Sequence, residues 1–397
     1  MRPVFWAVTL LAGLLAGTSF GQGPINVSET GLHDGESIYG INGTLFATPW
    51  TNSTIINVLG LGETNPDLYT NASFNAYGIY SNADLTNLAA IDVSGTGGNS
   101  YSDDGTAYAF VNAYGLFGNP DGDVEITNSG NITVTAQGGS AEGDGGTSNA
   151  YAYAYGISAN HTLTNSGTID ASSTGGTTTA SNGYTYAAAT AVTYALRTNG
   201  DIINDGQIIA SATGGAATTS GLAANAQAYA EAFGLYAYNG VENTGSLTVT
   251  ATGGTADGSA SNTSAAALAY GISNSTGDVS NAGDIVVTAA GGSVPSGGSA
   301  PATAIGIRTG GNLDNSGDIT VTASTQDDIS PEAYGIYMEG GEGISNLTNT
   351  GTIRAFGNTA YELYVAGGTT RLVNTYNVTL DGDPETASIF VADGATL

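Results

Sequence analysis

Carboxylates are the most abundant ionisable side chains of this sequence. The chain of 397 residues holds 34 Asp and Glu, five Lys and Arg, two His and no Cys. Two segments space three carboxylates two residues apart, an arrangement that offers hard oxygen ligands to Ca²⁺: Asp121, Asp123 and Glu125, and Asp381, Asp383 and Glu385. Neither continues as an EF-hand loop, because the sixth position is Ile126 or Thr386 instead of Gly. Calcium binding and a solvated acidic rim both stay open, and we assign no metal ligand.

Catalytic residue patterns are weaker than these clusters. Two adjacent carboxylate pairs, Asp103-Asp104 and Asp327-Asp328, lie in segments that we expect to be loops. The only imidazoles, His33 and His161, are far apart in sequence and lack the signature of a nucleophile–His–acid triad. The absence of Cys excludes thiol catalysis and Cys-ligated zinc. We therefore predict that the protein is not an enzyme, and we assign no catalytic residue and no cofactor.

The charge balance excludes partners that require basic side chains. All five basic residues are Arg, and the formal net charge is −29. Nucleic acids and anionic lipid surfaces are bound through clusters of Lys and Arg. We expect no nucleic-acid partner and no direct docking to a membrane surface.

The N-terminal segment is typical of a secretory signal peptide. Arg2 is followed by an apolar run over residues 4–16 and then by small residues up to Gly21. We predict a signal peptide over residues 1–21, with an uncleaved anchor as the alternative. The expected location is extracellular, at a bacterial cell surface and associated with the outer membrane.

Two short motifs recur along the chain in a fixed order. The first is Tyr-Gly-Ile or a variant, with most spacings between 35 and 41 residues: it begins at Tyr39, Tyr77, Tyr114, Tyr155, Tyr194, Phe233, Tyr270, Ile305 and Tyr334. The second is Asn-Ser-Gly or a variant, which begins at Asn128, Asn165, Asn204, Asn243, Asn281, Asn315 and Asn349, with looser versions at Asn57, Asn87 and Asn374. A repeat of this kind predicts a solenoid whose units stack on their neighbours.

The residues around each Asn alternate between apolar and polar. Ile126, Asn128, Ile132 and Val134 share one parity, while their sequence neighbours are polar, as in a strand with one buried face. An isolated buried amide would be costly, but stacked amides can bond to one another. We therefore predict a ladder of Asn side chains, and a positive φ at the Gly two residues after each Asn.

The segment before each Tyr-Gly-Ile motif alternates Ala with larger residues, as over residues 150–155. This pattern predicts a second strand with a small-residue inner face, so that two sheets approach closely. Ile157 shares the parity of the Tyr set, so either Gly156 breaks the alternation or the two faces are exchanged. The Tyr rows either cover a sheet or contact carbohydrate or a partner. The Gly-Gly pairs between the two strands, such as Gly138-Gly139, are interpreted as loops.

These patterns predict an all-β fold, a parallel β-solenoid of about ten repeats of roughly 25–41 residues. Whether each repeat forms one coil or two stays open. The predicted organisation is a signal peptide over 1–21, a capping segment with a first degenerate repeat over 22–73, and a solenoid domain over 74–397.

The sequences LTNSGTI (163–169) and LDNSGDITVTA (313–323), combined with AYGI, resemble the repeats of autotransporter passengers over residues 74–380. The resemblance implies a right-handed β-helix held outside the cell as an adhesin or scaffold. The C-terminal translocator barrel of that family is not present, so we expect a truncated frame or another secretion route. Asn65-Pro66 is similar to an Asn-Pro motif of two-partner secretion.

The expected function is that of a non-catalytic, secreted or cell-surface structural protein of the adhesin type. Its expected partners are a host, cell-surface or glycan ligand, or further copies of itself, and any membrane contact would come through a missing or separate translocator. One alternative is a lyase or glycoside hydrolase that acts on polysaccharide. The other is a self-assembling surface or matrix protein, with or without a dependence on calcium.

Overall fold

The structure is a computed structural model that describes residues 24–32, 35–43, 48–63, 71–103, 105–144, 146–181, 185–220, 224–259, 262–325, 331–340, 344–375 and 389–397. These residues form 36 β-strands, which we number in chain order, and no helix. No helix long and apolar enough to cross a membrane is found within these ranges.

The strands form four parallel sheets. The first sheet contains β1 (Ile25–Leu32), β4 (Ile56–Gly62), β7 (Ile91–Thr96), β11 (Ile132–Gln137), β15 (Ile169–Thr174), β19 (Ile208–Thr213), β23 (Leu247–Thr252), β27 (Ile285–Ala290), β30 (Ile319–Ser324) and β33 (Ile353–Phe356). The asparagine sheet contains β3 (Trp50–Asn52), β6 (Leu85–Asn87), β10 (Ile126–Asn128), β14 (Leu163–Asn165), β18 (Ile202–Asn204), β22 (Val241–Asn243), β26 (Val279–Asn281), β29 (Leu313–Asn315), β32 (Ile344–Asn349) and β35 (Thr369–Thr375).

The other two sheets differ in extent. The long-strand sheet contains β2 (Glu36–Gly43), β5 (Asn71–Ser81), β9 (Thr106–Gly118), β13 (Thr147–Ala159), β17 (Tyr186–Thr198), β21 (Asn225–Ala237), β25 (Ala267–Asn274), β28 (Ala302–Thr309), β31 (Glu332–Met338), β34 (Thr359–Val365) and β36 (Ile389–Val391). The flank sheet contains only β8 (Asn99–Ser102), β12 (Ser140–Asp144), β16 (Thr177–Ser181), β20 (Ala216–Ser220) and β24 (Thr255–Asp257).

One sequence repeat makes one coil of the solenoid. Asn128 pairs directly with Asn165, the equivalent residue of the next repeat, and the flanking residues continue in the same register. Neighbouring strands in such a sheet lie about 4.8 Å apart, which is therefore the rise per coil. The predicted β-solenoid is confirmed with about eight turns, slightly fewer than the about ten repeats expected.

The main core lies between the first, asparagine and long-strand sheets. Ile132, Val134 and Ala136 of β11 point inward, as do Ala152 and Ile157 of β13, and all are buried. Inside β13 the register passes from Tyr155–Tyr194 to Ile157–Leu196, so Gly156 breaks the alternation. Because of that break, Ala152 and Ile157 both face the core although their parities differ.

A second, smaller core lies between the flank sheet and the first half of the long strands. We call it the flank core, and it consists almost entirely of alanine: Ala107, Ala109, Ala141, Ala150, Ala180, Ala187, Ala189, Ala217, Ala226, Ala228, Ala256, Ala265, Val294 and Ala300. The predicted close approach of two sheets through small residues occurs here.

The Gly-Gly pairs connect strands, as predicted, but they are short corners and not the long variable loops expected. A Cβ added to Gly138 would lie 2.4 Å from the main-chain nitrogen of Gly176 in the next coil, so the corners stack tightly. The polar segment that follows five of the six pairs is strand β8, β12, β16, β20 or β24, and no described strand directly follows Gly291-Gly292. The sequence stretches interpreted as variable loops are therefore largely the flank sheet.

The Asn ladder is confirmed at the seven clear motifs and at Asn87, and it also contains Asn52. Each member except Asn349 donates from Nδ2 to Oδ1 of the next member at 2.6–2.8 Å: Asn52, Asn87, Asn128, Asn165, Asn204, Asn243, Asn281, Asn315 and Asn349. The same Nδ2 also donates to the carbonyl two residues later, as from Asn165 to Gly167 at 3.0 Å. Asn57 is not a member but lies on the first sheet, where it donates to Asn26. A register shift places Thr375, and not Asn374, opposite Asn349.

The glycine that follows each ladder Asn is required for a different reason from the one predicted. Positive φ occurs only at Gly31, Gly35, Gly297, Gly340, Gly368 and Gly394 among the described glycines. A Cβ on Gly167 would instead lie 2.0 Å from the carbonyl oxygen of Gly130 in the previous coil. Close stacking of main chains, and not an unusual backbone angle, therefore excludes a side chain here.

Candidate functional site

Aromatic rings stack along the outer face of the long-strand sheet. Tyr-Gly-Ile motifs occupy equivalent positions in successive coils, so their first residues lie one above the other. Seven of these rings form a ladder with centroid separations of 4.5–5.4 Å and interplanar angles of 1–8°: Tyr39, Tyr77, Tyr114, Tyr155, Tyr194, Phe233 and Tyr270. We call this row the aromatic ladder.

A second row lies three residues after the ladder positions. It includes Tyr80, Phe117, Arg197, Tyr236, Arg308, Tyr337, Tyr364 and Phe390. Its rings meet the ladder edge to face, as Tyr236 meets Tyr194 at 5.6 Å and 82°. Edge-to-face packing of this kind adds to the stability of buried aromatic pairs. The ladder rings are therefore held rigidly, and the second row covers one side of them.

The other side of the ladder carries Tyr153 and Glu231, two residues before the ladder positions. Tyr153 lies 6.4 Å from Tyr155 and 5.2 Å from Phe110. We call the ladder and its two flanking rows the aromatic face.

The ladder rings lie plane against plane along the solenoid, so they present ring edges and phenol groups outward, and Tyr155, Phe233 and Tyr270 are buried. The half-buried rings of the flanking rows, such as Tyr153 and Tyr236, form most of the accessible aromatic surface.

Some acidic groups of the aromatic face are shifted toward their neutral forms. Burial raises the pKa of the Tyr153 phenol. Burial also raises the pKa of Glu231, while the hydrogen bond that its carboxylate accepts from Tyr229 opposes the shift. A carboxyl of raised pKa is one of the two groups that glycoside hydrolysis requires. The causes of the Glu231 shift are burial and the hydrogen bond from Tyr229, and no second carboxylate of the described residues is among them.

Two arginines lie on the aromatic face and have different surroundings. The exposed Arg197 places its Cζ 5.3 Å from the ring centroid of Tyr194 and 5.9 Å from that of Tyr155. Arg308 donates from Nε to Oε1 of Glu339 at 2.7 Å. Sequence reasoning missed both residues, although aligning the repeats three residues beyond each ladder position would have placed them among Tyr80, Phe117 and Tyr236.

The carboxylates of the first candidate calcium segment do not converge. The carboxylate of Asp123 lies 3.3 Å from Nε2 of His161, and the main-chain nitrogen of Glu125 donates to Oδ1 of Asp84. Asp121 is exposed on the same corner. Within the described ranges, no group of three His, Asp or Glu side chains is arranged to hold a metal ion.

Several predicted residues lie outside the described ranges. They are the signal segment 1–21, His33, Asn65-Pro66, Asp104, Asp327-Asp328 and the segment with Asp381, Asp383 and Glu385. Asp103 is described and exposed, and its hydrogen bond with Tyr101 raises the pKa of that phenol.

An acidic groove of about 650 Å³ lies on the outer face of the asparagine sheet, between Asp201, Glu242, Asp278 and Asp314. Two of these carboxylates are already occupied by the main chain of the next coil. Oδ1 of Asp201 accepts from the nitrogen of Gly240 at 2.7 Å, and Oδ1 of Asp278 accepts from that of Asn312 at 3.0 Å. These residues therefore stabilise the corner, and the aromatic face remains the better candidate site.

Comparison of the chain with protein-family models, with curated proteins and with solved structures gives no significant match.

Proposed function

We propose that the protein is a non-catalytic, adhesin-like solenoid of the bacterial cell surface that binds a glycan or a surface partner through its aromatic face. The observation that supports this most is the aromatic ladder with its two flanking rows, which repeat coil after coil on one sheet. Large organised apolar patches on a protein surface commonly mark interaction sites.

The chemistry of the face suits carbohydrate. The half-buried rings of the flanking rows, such as Tyr153 and Tyr236, offer apolar contact to the C–H faces of sugar rings, and each adds a phenol hydroxyl for hydrogen bonding. The rings are fixed by their neighbours, so little side-chain entropy remains to be lost on binding. A ladder with one ring per coil also matches a ligand that is itself a repeating polymer.

The secretion route belongs to the same proposal. The N-terminal apolar segment supports export, and the repeat motifs support a passenger-like protein delivered to the cell surface by a translocator. Fractionating the native host and probing the medium, the outer membrane and the cytoplasm with an antibody tests this location. A purely cytoplasmic signal would contradict it.

The binding proposal is tested with the full chain on a glycan panel, scored both for binding and for release of reducing ends. We expect binding without cleavage, and loss of binding in the double variant Tyr153→Ala/Tyr236→Ala. Tyr238→Ala is the matched control, because Tyr238 is exposed at the corner after β21 and lies off the aromatic face. Cleavage of any glycan would favour the enzymatic alternative, for which the raised pKa of Glu231 is the single supporting observation.

Self-assembly is the remaining alternative. The outermost strands of the described sheets present edges of the type that pair with other chains. Sedimentation of the purified protein with and without calcium measures this directly. Concentration-dependent growth of long oligomers, together with no glycan binding, would replace the adhesin proposal.

A further inference from the structure

The two arginines of the aromatic face differ in how their charge is balanced. The guanidinium of Arg308 is paired with the carboxylate of Glu339. Within the described part of the chain, the guanidinium of Arg197 forms no ion pair, and the same holds for Arg354 and Arg371. Arg197 differs from those two because it lies against the rings of the aromatic face.

Arg197 is also held in a defined orientation. Its guanidinium lies against the rings of Tyr155 and Tyr194, at 5.9 and 5.3 Å from their centroids. Burial raises the pKa of Tyr155, and both the charge of Arg197 and its hydrogen bond to Tyr155 lower it. Stacking on aromatic planes orders the planar fork and leaves N–H donors along its edge for a ligand.

We propose that Arg197, together with the rings beside it, binds the carboxylate of an acidic sugar within a polysaccharide. This inference names the ligand class of the aromatic face and rests on the function proposed above. A guanidinium fork matches a carboxylate through two parallel hydrogen bonds, which a neutral sugar cannot reproduce. The half-buried ring of Tyr236, which pairs with Arg197 in the next coil, supplies apolar contact for the sugar ring that carries the carboxylate.

The acidity of the chain limits what kind of acidic sugar polymer binds. With a net charge of −29, the protein repels a dense polyanion, but screening limits repulsion between exposed charges to about 10 Å at 0.1 M salt. The contact between Arg197 and a single carboxylate lies within that distance. We therefore expect short uronate oligomers to bind at physiological salt.

The experiment is isothermal titration of the full chain with tetragalacturonate and with the same oligomer after reduction of its carboxyl groups. We expect the uronate to bind and the reduced form to bind at least roughly tenfold more weakly, since hydrogen bonds to charged groups are the stronger ones. Arg197→Gln should lower uronate affinity by a similar factor. Arg354→Gln removes the same charge from the outer side of β33 on the first sheet, so it should leave the affinity unchanged. Melting curves establish that both variants fold.

Three results would each overturn the inference: equal binding of the two oligomers, equal losses in the two arginine variants, or binding of a polyglutamate peptide as tight as that of the uronate. Its failure is separable from that of the proposed function. If Tyr153→Ala/Tyr236→Ala still abolishes binding of a neutral glycan while Arg197→Gln changes nothing, the aromatic face binds sugar but Arg197 does not select it.

Discussion

The main core and the flank core lie side by side along the same long strands, yet they are built from different side chains. The main core holds large aliphatic residues such as Ile157 and Leu196, whereas the flank core is nearly all alanine. Each buried methylene contributes about 0.8 kcal/mol, so an alanine interface stabilises its sheets much less than one of Ile and Leu. Strands of the long-strand sheet are longer in the coils that have a flank strand. For example, β13 has 13 residues where the flank sheet is present, and β31 has seven where it is not. The main core therefore carries the stability of the solenoid, and the flank is an addition to it.

The largest expected effect comes from breaking the Asn ladder in the main core. In Asn243→Leu, the Nδ2 donor of Asn204, the Oδ1 acceptor of Asn281 and the carbonyl of Gly245 lose their partner. Each buried group left unpaired costs roughly 1–3 kcal/mol. Because each coil contacts only its neighbours, we expect the melting transition to split or broaden as well as to shift down.

Two controls sharpen this result. Asn52→Leu changes the outermost described member of the ladder, which has one Asn neighbour instead of two, and should cost less. Asn57→Leu changes an exposed hydrogen bond on the first sheet and should barely alter the melting curve. If all three variants melt like the wild type, the ladder amides contribute nothing to stability.

The second prediction compares the two cores directly. Ile169→Ala leaves a cavity in the main core, where the residue is fully buried, and should cost about 2–5 kcal/mol. Ala189→Gly removes one methyl group from the flank core and should cost about 1–2 kcal/mol, from the lost methyl and the looser backbone. Urea unfolding of the two variants measures the difference. Equal losses of unfolding free energy in the two variants would mean that the flank core stabilises the protein as much as the main core does.

The third prediction concerns a carboxyl group in the long-strand sheet. Glu362 occupies the position that is Gly335 in the previous coil, is 6% exposed, and has an Oε2 with no hydrogen-bond partner among the described residues. Burial raises its pKa from 4.5 to about 7. The folded state therefore binds this proton more tightly than the unfolded state, so the contribution is complete below about pH 4.5 and is lost as the pH rises toward 7.

Thermal melting between pH 4 and 8 tests this sign, and Glu362→Gln is the control because it removes the titration. The wild-type curve should fall relative to the variant by up to about 1.4 kcal/mol per pH unit inside that window. Parallel curves for the two proteins would mean that Glu362 is solvated and does not titrate abnormally.

The sequence carried strong signals for the main core and weak ones for the flank. The alternation of apolar and polar residues around Asn128 predicts which face of the strand is buried. The recurrence of Asn at the same repeat position predicts the ladder, because equivalent positions in successive coils have the same surroundings. Four of the five flank strands bury a single alanine each, such as Ala141 or Ala217, within polar segments, and β8 buries none. That pattern is too short to distinguish a strand from a loop, and the preceding Gly-Gly pairs favoured the loop.

The predictions for the N-terminal repeat and for the aromatic face were incomplete for reasons other than a weak strand pattern. Asn57 was chosen as a ladder residue and Asn52 was overlooked, because both lie in a degenerate repeat where only the strand register decides which one stacks. The aromatic face was predicted only as rows of Tyr. Arg197 interrupts an aromatic row, so a search for one residue type passes over it, and its contacts with Tyr155 and Tyr194 exist only after the coils stack.

The last prediction concerns a pair of polar residues that replaces two alanines of the main core in a single coil. Ser173 pairs with Ala136 and Ala212, and Thr193 pairs with Ala154 and Ala232.

The two hydroxyl groups lie 2.7 Å apart, and Thr193 also donates to the carbonyl of Ser211 at 2.6 Å. Thr193→Ala should destabilise the protein by roughly 1–3 kcal/mol, because it leaves the buried Ser173 hydroxyl unpaired. The double variant Ser173→Ala/Thr193→Ala should recover most of that loss, since it restores the apolar pair of the other coils. A double-mutant cycle in urea measures the coupling. Strictly additive effects would mean that each hydroxyl is satisfied independently, and that the two substitutions do not compensate each other.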